Sequence, residues 1–408
     1  IFAAVGYWRS GNEARIFSYH RNYLYALDPK TGEPARGFGL GGRVDVGDVN
    51  GQFLWNAPPL VVRDYVLIGA SMPDQDSATK KEGLPGEVRA YDVRTGQRKW
   101  AYRTIPRAGE PGVETWKNEA FEYIGAGNVW APMSVDQQRG LLFMPVSTPS
   151  NDYYGGRRPG QNLFAESIVC LDANTGQRKW HFQIVHHGLW DYDPASAPNL
   201  VTITVDGKRI DAVVQLTKQG WAFVFDRVTG RPVWPIAEKP VGRSDVPGEA
   251  SWPTQPVPTK PPAFESQGVT LDDAFDATPE LKAKAVAELR KYRLGPIYTP
   301  PSLLRMQAQA IDFPSTQIRN KLAAAGQGPA TKPPAPSNTR RVRGTLPWST
   351  RASISPVQRY CSQKAPVEVV VERACDFTNA RALRKRLAGV VTQANPRFLS
   401  GALWYRSL

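Results

Sequence analysis

Candidate metal-binding and catalytic residues are concentrated between Val185 and Pro194. The stretch reads Val-His-His-Gly-Leu-Trp-Asp-Tyr-Asp-Pro. His186 and His187 are adjacent, as in a metal-binding pair, but neighbouring side chains on a strand face opposite ways. We therefore do not expect both to bind one metal ion. Asp191 offers a carboxylate that can accept a proton as a general base, although such a residue can also simply cap the end of a strand.

Cysteine does not indicate a second site. The three cysteines, Cys170, Cys361 and Cys375, have neither the spacing of a metal site nor that of a disulfide framework. Cys170 occupies the small-residue position of a sequence repeat, so it is predicted to be a packing residue. Cysteine usage therefore does not decide the cellular compartment.

The framework that would hold such a site is predicted from a sequence motif of eleven residues that occurs four times. Each repeat has a small residue first, Asp third, Thr-Gly at the sixth and seventh positions, and Trp last. The copies span Ala90–Trp100, Cys170–Trp180 and Val224–Trp234, and a worn copy at Ala26–Arg36 has Arg36 in place of the Trp. In each copy, the Asp can accept backbone N–H groups across a tight turn, and the Gly supplies the positive φ that the turn needs. One buried Trp contributes roughly 5 kcal/mol as an upper bound, so the tryptophans are interpreted as contacts between repeats.

These repeats predict an all-β fold whose units are propeller blades. Successive turn aspartates are 64, 80 and 54 residues apart, which suits about four strands per repeat and loops of variable length on one face. Horseshoe solenoids have shorter and more regular repeats and fit less well. Short alternating runs supply the strands, including Val61–Ala70 with a bend at Arg63-Asp64, and three strands of the fourth unit between 201 and 225.

Two regions are predicted: a partial propeller at residues 1–303 and an atypical basic C-terminal tail at 304–408. Within the first, a helix beginning at the N-cap Thr278 is expected to pack an apolar face that includes Leu281 on the propeller. Of the 51 Lys and Arg and 37 Asp and Glu in the chain, residues 305–408 hold 17 and 4, which leaves 34 and 33 for residues 1–304. The formal net charge of +14 thus comes almost wholly from the tail.

The tail has two open interpretations: an interaction segment, which could bind nucleic acid or anionic membrane, or an unrelated or out-of-frame translation. Because the propeller region is electrically balanced, no nucleic-acid partner is expected for it. The chain begins at Ile1 without an initiator Met or a signal peptide, and no apolar run reaches membrane-spanning length. We therefore expect it to be a fragment.

Four motifs are more specific than the repeats: the 185–194 stretch, Asn128-Val-Trp-Ala-Pro-Met-Ser, Thr217-Lys-Gln-Gly and Ile297-Tyr-Thr-Pro-Pro-Ser. Together they resemble the pyrroloquinoline quinone (PQQ) dependent dehydrogenases, and most closely their membrane-type glucose, quinate and polyol branch. The resemblance covers roughly residues 5–303. It implies a partial eight-bladed β-propeller, of which this chain supplies about four blades with tryptophan docking motifs.

The resemblance also implies roles for five residues. Trp130 matches the aromatic floor under the quinone, Asp191 the proposed catalytic carboxylate, and Lys218 the cation beside the reacting carbonyl. Thr148 lies where alcohol-oxidising members have a metal-binding Asn, and Asp74 matches one ligand of a divalent metal, Ca²⁺ or Mg²⁺.

The expected activity is the oxidation of a sugar or polyol hydroxyl, with electrons passed to ubiquinone or a cytochrome. The implied location is the periplasm, with attachment of the full-length parent to the inner membrane through segments absent from this chain. We expect the fragment itself to be inactive, because four repeats do not close a ring. The alternative is a non-catalytic propeller scaffold that binds protein partners, which would share the turns but has no reason to carry Trp130, Asp191 and Lys218 together.

Overall fold

The computed structural model describes residues 5–47, 54–72, 82–84 and 86–302, together with the backbone of 306–307. The described residues all belong to one compact unit, residues 3–335. Their regular secondary structure is almost entirely β-strand, mostly antiparallel, and this confirms the all-β prediction. Asp74 and nearly all of the predicted tail lie outside the described residues.

Fifteen strands form four antiparallel sheets, in which each strand pairs with the next one along the chain. We number these sheets as blades 1 to 4. Blade 1 contains β1 (Gly6–Ser10), β2 (Glu13–His20), β3 (Tyr23–Leu27) and β4 (Arg43–Asp45); blade 2 contains β5 (Leu60–Val62), β6 (Tyr65–Gly69), β7 (Glu87–Asp92) and β8 (Arg98–Arg103). Blade 3 contains β9 (Ser134–Asp136), β10 (Leu141–Val146), β11 (Ser167–Asp172) and β12 (Arg178–Gln183), and blade 4 contains β13 (Asn199–Val205), β14 (Lys208–Leu216) and β15 (Ala222–Asp226).

The segment after blade 4 holds short pairs and one α-helix, α1 (Pro279–Leu289). Thr278 caps α1 as predicted, because its side chain accepts a hydrogen bond from Leu281 N at 3.2 Å. The expected packing of α1 is present only in part: no residue of α1 is fully buried, Ala285 and Leu289 are half-buried, and Leu281 is 42% exposed. None of the helices that the structure describes is both long and apolar enough to cross a membrane.

The other strands are β16 (Ile236–Pro240), β17 (Thr254–Pro258), β18 (Gly268–Val269), β19 (Tyr292–Arg293), β20 (Gly295–Pro296) and β21 (Met306–Gln307). Short 3₁₀ turns lie at Val113–Thr115, Ala120–Glu122, Gly155–Arg157 and Leu271–Asp273.

The repeated turns have the predicted geometry. In every copy, the Asp Oδ1 accepts the backbone N–H groups two and three residues later, at 2.8 to 3.3 Å. The four turn glycines have φ between 71° and 74°, a conformation that L-residues with a Cβ adopt at a cost. The backbone hydrogen bonds from Lys30 and Thr31 favour the ionised form of Asp28 and lower its pKa.

Tryptophans dock each blade on the glycine turn of the next. Trp100 of blade 2 donates its indole N–H to Ala173 O of blade 3 at 3.1 Å, and a Cβ on Gly176 would lie 2.7 Å from its ring. Trp180 of blade 3 donates in the same way to Arg227 O of blade 4 at 3.2 Å, and its ring covers Gly230. The predicted role of these tryptophans as contacts between repeats is confirmed.

In the first repeat, which lacks the Trp, other residues cover the glycine turn of the next blade. Arg36 stands where the Trp would be, but Phe38 is completely buried two residues later. A Cβ on Gly96 of blade 2 would meet Val44 at 2.5 Å and the Phe38 ring at 3.4 Å. Phe38 and Val44 of blade 1 thus cover the turn of blade 2. Three hydrophobic clusters lie at the successive interfaces between blades 1 and 2, 2 and 3, and 3 and 4.

Replacing a turn glycine by alanine separates backbone strain from blade docking. Gly32 and Gly176 have nearly equal φ, 74° and 72°, but a Cβ on Gly32 would meet nothing within 4 Å. Gly32→Ala is therefore expected to cost roughly 1–2 kcal/mol of unfolding free energy for the left-handed backbone alone. Gly176→Ala should cost roughly 1–3 kcal/mol more because the new methyl group displaces Trp100. Urea denaturation of both variants measures the difference, and equal losses would contradict the docking role.

Candidate functional site

The stretch from Trp190 to Asp193 presents its aromatic and acidic residues to different surroundings. Trp190 and Tyr192 are buried in the cluster between blades 3 and 4. The Trp190 indole donates to Thr299 O at 2.9 Å, and the Tyr192 hydroxyl donates to Ile297 O at 2.8 Å. These contacts anchor the stretch to the Ile297–Ser302 motif and leave Asp191 and Asp193 to form the site. Asp191 itself has φ of 58°, a strained value for a residue other than glycine.

Lys218 joins the two carboxylates. It lies in the connection from β14 to β15, and its Nζ donates to Asp191 O at 2.9 Å. The same Nζ lies 3.3 Å from Asp191 Oδ2 and 3.5 Å from Asp193 Oδ2. Asp191 and Lys218, which belong to separate sequence motifs, are therefore direct neighbours in the fold.

Trp130 and Thr148 reach the same place through Asp193. The Trp130 indole N–H donates to Asp193 Oδ2 at 3.1 Å, and the Thr148 backbone N–H donates to Asp193 Oδ1 at 2.7 Å. Trp130 precedes β9 and Thr148 follows β10, so both belong to the ends of blade 3. The structure thus brings Trp130, Thr148, Asp191 and Lys218 together, and the fifth predicted site residue, Asp74, lies outside the described residues.

Sequence reasoning missed Asp193 and Tyr153. Asp193 stands inside the 185–194 motif, and its alternation with Asp191 is a signal that could have identified it. The Tyr153 hydroxyl donates to Asp191 Oδ2 at 3.1 Å. Nothing in the sequence indicates this second contact, because Tyr153 lies in a loop between β10 and β11 whose course follows from tertiary packing.

The two carboxylates and Lys218 control one another's protonation. Burial raises the pKa of Asp191 well above its ordinary value, the neighbouring Asp193 raises it further, and Lys218 opposes both. Burial alone would lower the pKa of Lys218, but the attraction of Asp193 and Asp191 outweighs burial and raises it. Burial and the charge of Asp191 likewise raise the pKa of Tyr153, which keeps its hydroxyl protonated as the donor. Lys218 therefore stays a cation, and Asp191 is a stronger base than an ordinary aspartate.

A third carboxylate, Glu166, lies buried behind the site. It is 1% exposed, and a Cβ on Gly188 would lie 1.8 Å from its Oε2, so no larger residue fits at position 188 beside it. Burial raises the pKa of Glu166 to about 7, although the buried Arg158 lowers it and Asp193 adds to the rise.

The adjacent histidines bind different partners. His187 Nδ1 lies 2.9 Å from Asn162 Oδ1, deep behind the site. His186 lies 2.9 Å from Gln183 Oε1 and 3.2 Å from Glu238 Oε1, on the side of β16. Within the ranges that the structure describes, no cluster of three or more His, Cys, Asp or Glu residues could hold a metal ion.

A family profile described as "PQQ: Glucose/ethanol/alcohol dehydrogenase, beta-propeller domain" matches residues 3–331. Quinate/shikimate dehydrogenase (quinone) of Acinetobacter baylyi is 32% identical over 286 residues, covering 68% of this chain and 35% of that protein. The glycerol dehydrogenase large subunit of Gluconobacter oxydans is 32% identical over 288 residues, with coverages of 69% and 38%. Quinoprotein glucose dehydrogenase of Escherichia coli is 33% identical over 254 residues, with coverages of 60% and 30%. The chain thus spans about a third of the length of these curated relatives.

The described residues offer groups that suit PQQ. PQQ is flat and anionic, so it requires an aromatic face and a cation, and Trp130 and Lys218 lie on the same carboxylate. Asn128 Oδ1 is a buried oxygen without a hydrogen-bond partner among the described residues, and Asn128 O accepts Ser147 N at 2.8 Å, next to Thr148. An acceptor in this position is available to a ligand.

Removing the charge of Lys218 should raise the pKa of Asp191 further, because Lys218 is the cation that stabilises the ionised carboxylate. In Lys218→Met, Asp191 is therefore expected to lose its proton only at a higher pH than in the parent chain. Carboxyl ¹³C NMR titration measures this, with the Asp191 signal identified from Asp191→Asn. Lys179→Met removes a lysine that pairs with Asp172 at 3.6 Å and is the matched control. An unchanged or lower Asp191 pKa in Lys218→Met would contradict the ion pair.

The buried Glu166 should make stability fall as pH rises. Its folded pKa of about 7 exceeds the ordinary 4.5, so the folded chain binds a proton that the unfolded chain releases between these values. The unfolding free energy should therefore decrease by about 3 kcal/mol from pH 4.5 to 7, relative to Glu166→Gln. Urea denaturation across this range measures the difference, and the exposed Glu33→Gln serves as control. A constant difference between Glu166→Gln and the parent chain would show that Glu166 is not the group responsible.

Proposed function

The chain belongs to the family of PQQ-dependent dehydrogenases, as its motifs predicted, and on that premise we propose that it is part of an enzyme that oxidises a hydroxyl group of a sugar or polyol. One observation carries the proposal: Trp130, Thr148 and Lys218 converge on the carboxylate of Asp193, and Lys218 also binds Asp191. PQQ, when bound, supplies the acceptor for the hydride that leaves the carbinol carbon. The chain's own residues then have to remove one proton and hold the reacting groups.

Asp191 is the base in this proposal. Its Oδ2 accepts hydrogen bonds from Tyr153 and Lys218, whereas its Oδ1 accepts none from the described part of the chain. Oδ1 therefore remains for the substrate hydroxyl, and it takes the hydroxyl proton as the hydride leaves. Burial and the neighbouring Asp193 raise the pKa of Asp191, which strengthens it as a proton acceptor.

Lys218 and Trp130 bind and orient. The Lys218 ammonium stays protonated because both carboxylates raise its pKa, so it can stabilise negative charge that develops next to Asp191. The face of Trp130 is the proposed floor for the flat cofactor, with its indole N–H fixed by Asp193 at 3.1 Å. Thr148, held by its backbone to the same carboxylate, is proposed to contact the cofactor from the blade 3 side.

A divalent metal, Ca²⁺ or Mg²⁺, is also part of the proposal. Hard cations take oxygen ligands, and the Thr148 hydroxyl, a buried oxygen without a hydrogen-bond partner among the described residues, is available beside the proposed cofactor position. Asp74 is retained as a predicted ligand from the sequence motif.

The substrate class follows from the relatives, which are named for quinate or shikimate, glycerol and glucose. We propose a polyhydroxylated substrate of this kind, and an electron acceptor that is ubiquinone or a cytochrome. A periplasmic location, with attachment of the whole protein to the inner membrane, is proposed from the resemblance of the sequence motifs to the family.

Cofactor binding by the purified chain tests the function. Titration with PQQ and Ca²⁺, followed by quinone absorbance, is expected to show saturable binding that is lost in Trp130→Ala. Dye reduction with a panel of sugars and polyols then measures turnover. Asp191→Asn should retain PQQ binding and reduce any turnover at least about 100-fold, the usual contribution of a general base.

Two outcomes would oppose this function. A folded chain that binds no PQQ would favour the non-catalytic propeller scaffold, which has no need of the cofactor. PQQ binding that is unchanged in Trp130→Ala would place the cofactor elsewhere.

A further inference from the structure

We propose that Asp193 is the positioning residue of this site, which holds the aromatic floor and the cation in place before any cofactor binds. The importance of Asp193 for catalysis rests on the proposed function. Its hydrogen bonds to the neighbouring residues are independent of that proposal. Asp193 acts through its contacts with Trp130, Lys218 and Thr148.

Three donors from three parts of the chain converge on this one carboxylate. Asp193 Oδ2 accepts the Trp130 indole N–H at 3.1 Å and faces Lys218 Nζ at 3.5 Å. Asp193 Oδ1 accepts the Thr148 backbone N–H at 2.7 Å. An ionised carboxylate has two oxygens that only accept, so it is suited to gather these donors. An amide would present an NH₂ group to one of them.

The carboxylate is itself held rigidly. Asp193 is 8% exposed, and its neighbour Tyr192 is buried with its hydroxyl bound to Ile297 O at 2.8 Å. Asp193 therefore has a fixed backbone and little room to change rotamer. Because the acceptor is fixed, the groups that donate hydrogen bonds to it are held in fixed positions as well.

The two aspartates have different contact partners. Lys218 touches both Asp191 and Asp193, but Trp130 and Thr148 contact Asp193. Loss of Asp191 should thus disturb Lys218 and leave Trp130 in place, whereas loss of Asp193 should release both. This difference separates a positioning role from general destabilisation.

The test uses the full chain without PQQ and two site-specific signals. The ¹H–¹⁵N indole resonance of Trp130, identified by its absence in Trp130→Phe, reports the hydrogen bond to Asp193. The rate of reductive methylation of Lys218, measured by peptide mass spectrometry at constant pH, reports how readily its ammonium releases a proton.

Asp193→Asn is expected to shift the Trp130 resonance and to raise the Lys218 methylation rate about tenfold, the effect of losing one charge-assisted hydrogen bond. Asp191→Asn should raise the Lys218 rate but leave the Trp130 resonance in place. Asp276→Asn, which removes an exposed carboxylate paired with Lys282 at 3.7 Å, should change neither signal. Asp193→Ala repeats the test without an amide.

The proposal is overturned if folded Asp193→Asn leaves either the Trp130 resonance or the Lys218 rate unchanged. It is also overturned if Asp191→Asn shifts the Trp130 resonance as much as Asp193→Asn does. Failure of the parent chain to bind PQQ would instead refute the proposed function, because both signals are read without the cofactor. If PQQ binds, its affinity should fall in Asp193→Asn along with the shift of the Trp130 resonance.

Discussion

The structure depends on one repeated contact, an indole ring lying on a glycine turn of the next blade. The turn must be glycine for two reasons: its backbone is left-handed, and a Cβ at Gly176 or Gly230 would overlap the docked ring. The Asp at the start of each turn satisfies two backbone N–H groups, so the turn is rigid before it is covered. Each blade therefore presents a flat, preformed surface to its predecessor, and the large apolar area of the Trp side chain stabilises the contact.

The same packing places the candidate site. Trp180 docks on Gly230 in the cluster that also buries Trp190 and Tyr192. Because these two aromatic residues are fixed between blades 3 and 4, the acidic residues that alternate with them are held at the ends of the strands. Lys218 reaches them from blade 4, and Trp130 from blade 3. A site built from loops is thus positioned by a rigid interface between sheets.

Within the site, two carboxylates share one ammonium group. Repulsion from Asp193 and burial raise the pKa of Asp191, while attraction to both carboxylates raises that of Lys218. Their roles differ because their hydrogen bonds differ: Asp193 is saturated by donors on both oxygens, and Asp191 is bound through Oδ2. One acidic side chain can therefore organise the site, and the other keeps an oxygen for chemistry.

The sequence by itself determined the repeats, since turn geometry is local: Asp, Thr-Gly and Trp at set offsets predicted the turns, the strands and the docking of Trp100 and Trp180. Of the five predicted site residues, Trp130, Thr148, Asp191 and Lys218 lie in the described part of the chain. They are far apart in the sequence, and only the family resemblance predicted that they lie close together. Tertiary packing alone sets three features: Trp130, Thr148 and Lys218 meet at Asp193, Tyr153 contacts Asp191, and Phe38 replaces the missing Trp of the first repeat. It also left no residue of α1 fully buried. These features depend on distances between residues far apart in the chain, which packing between blades sets and local sequence pattern does not encode.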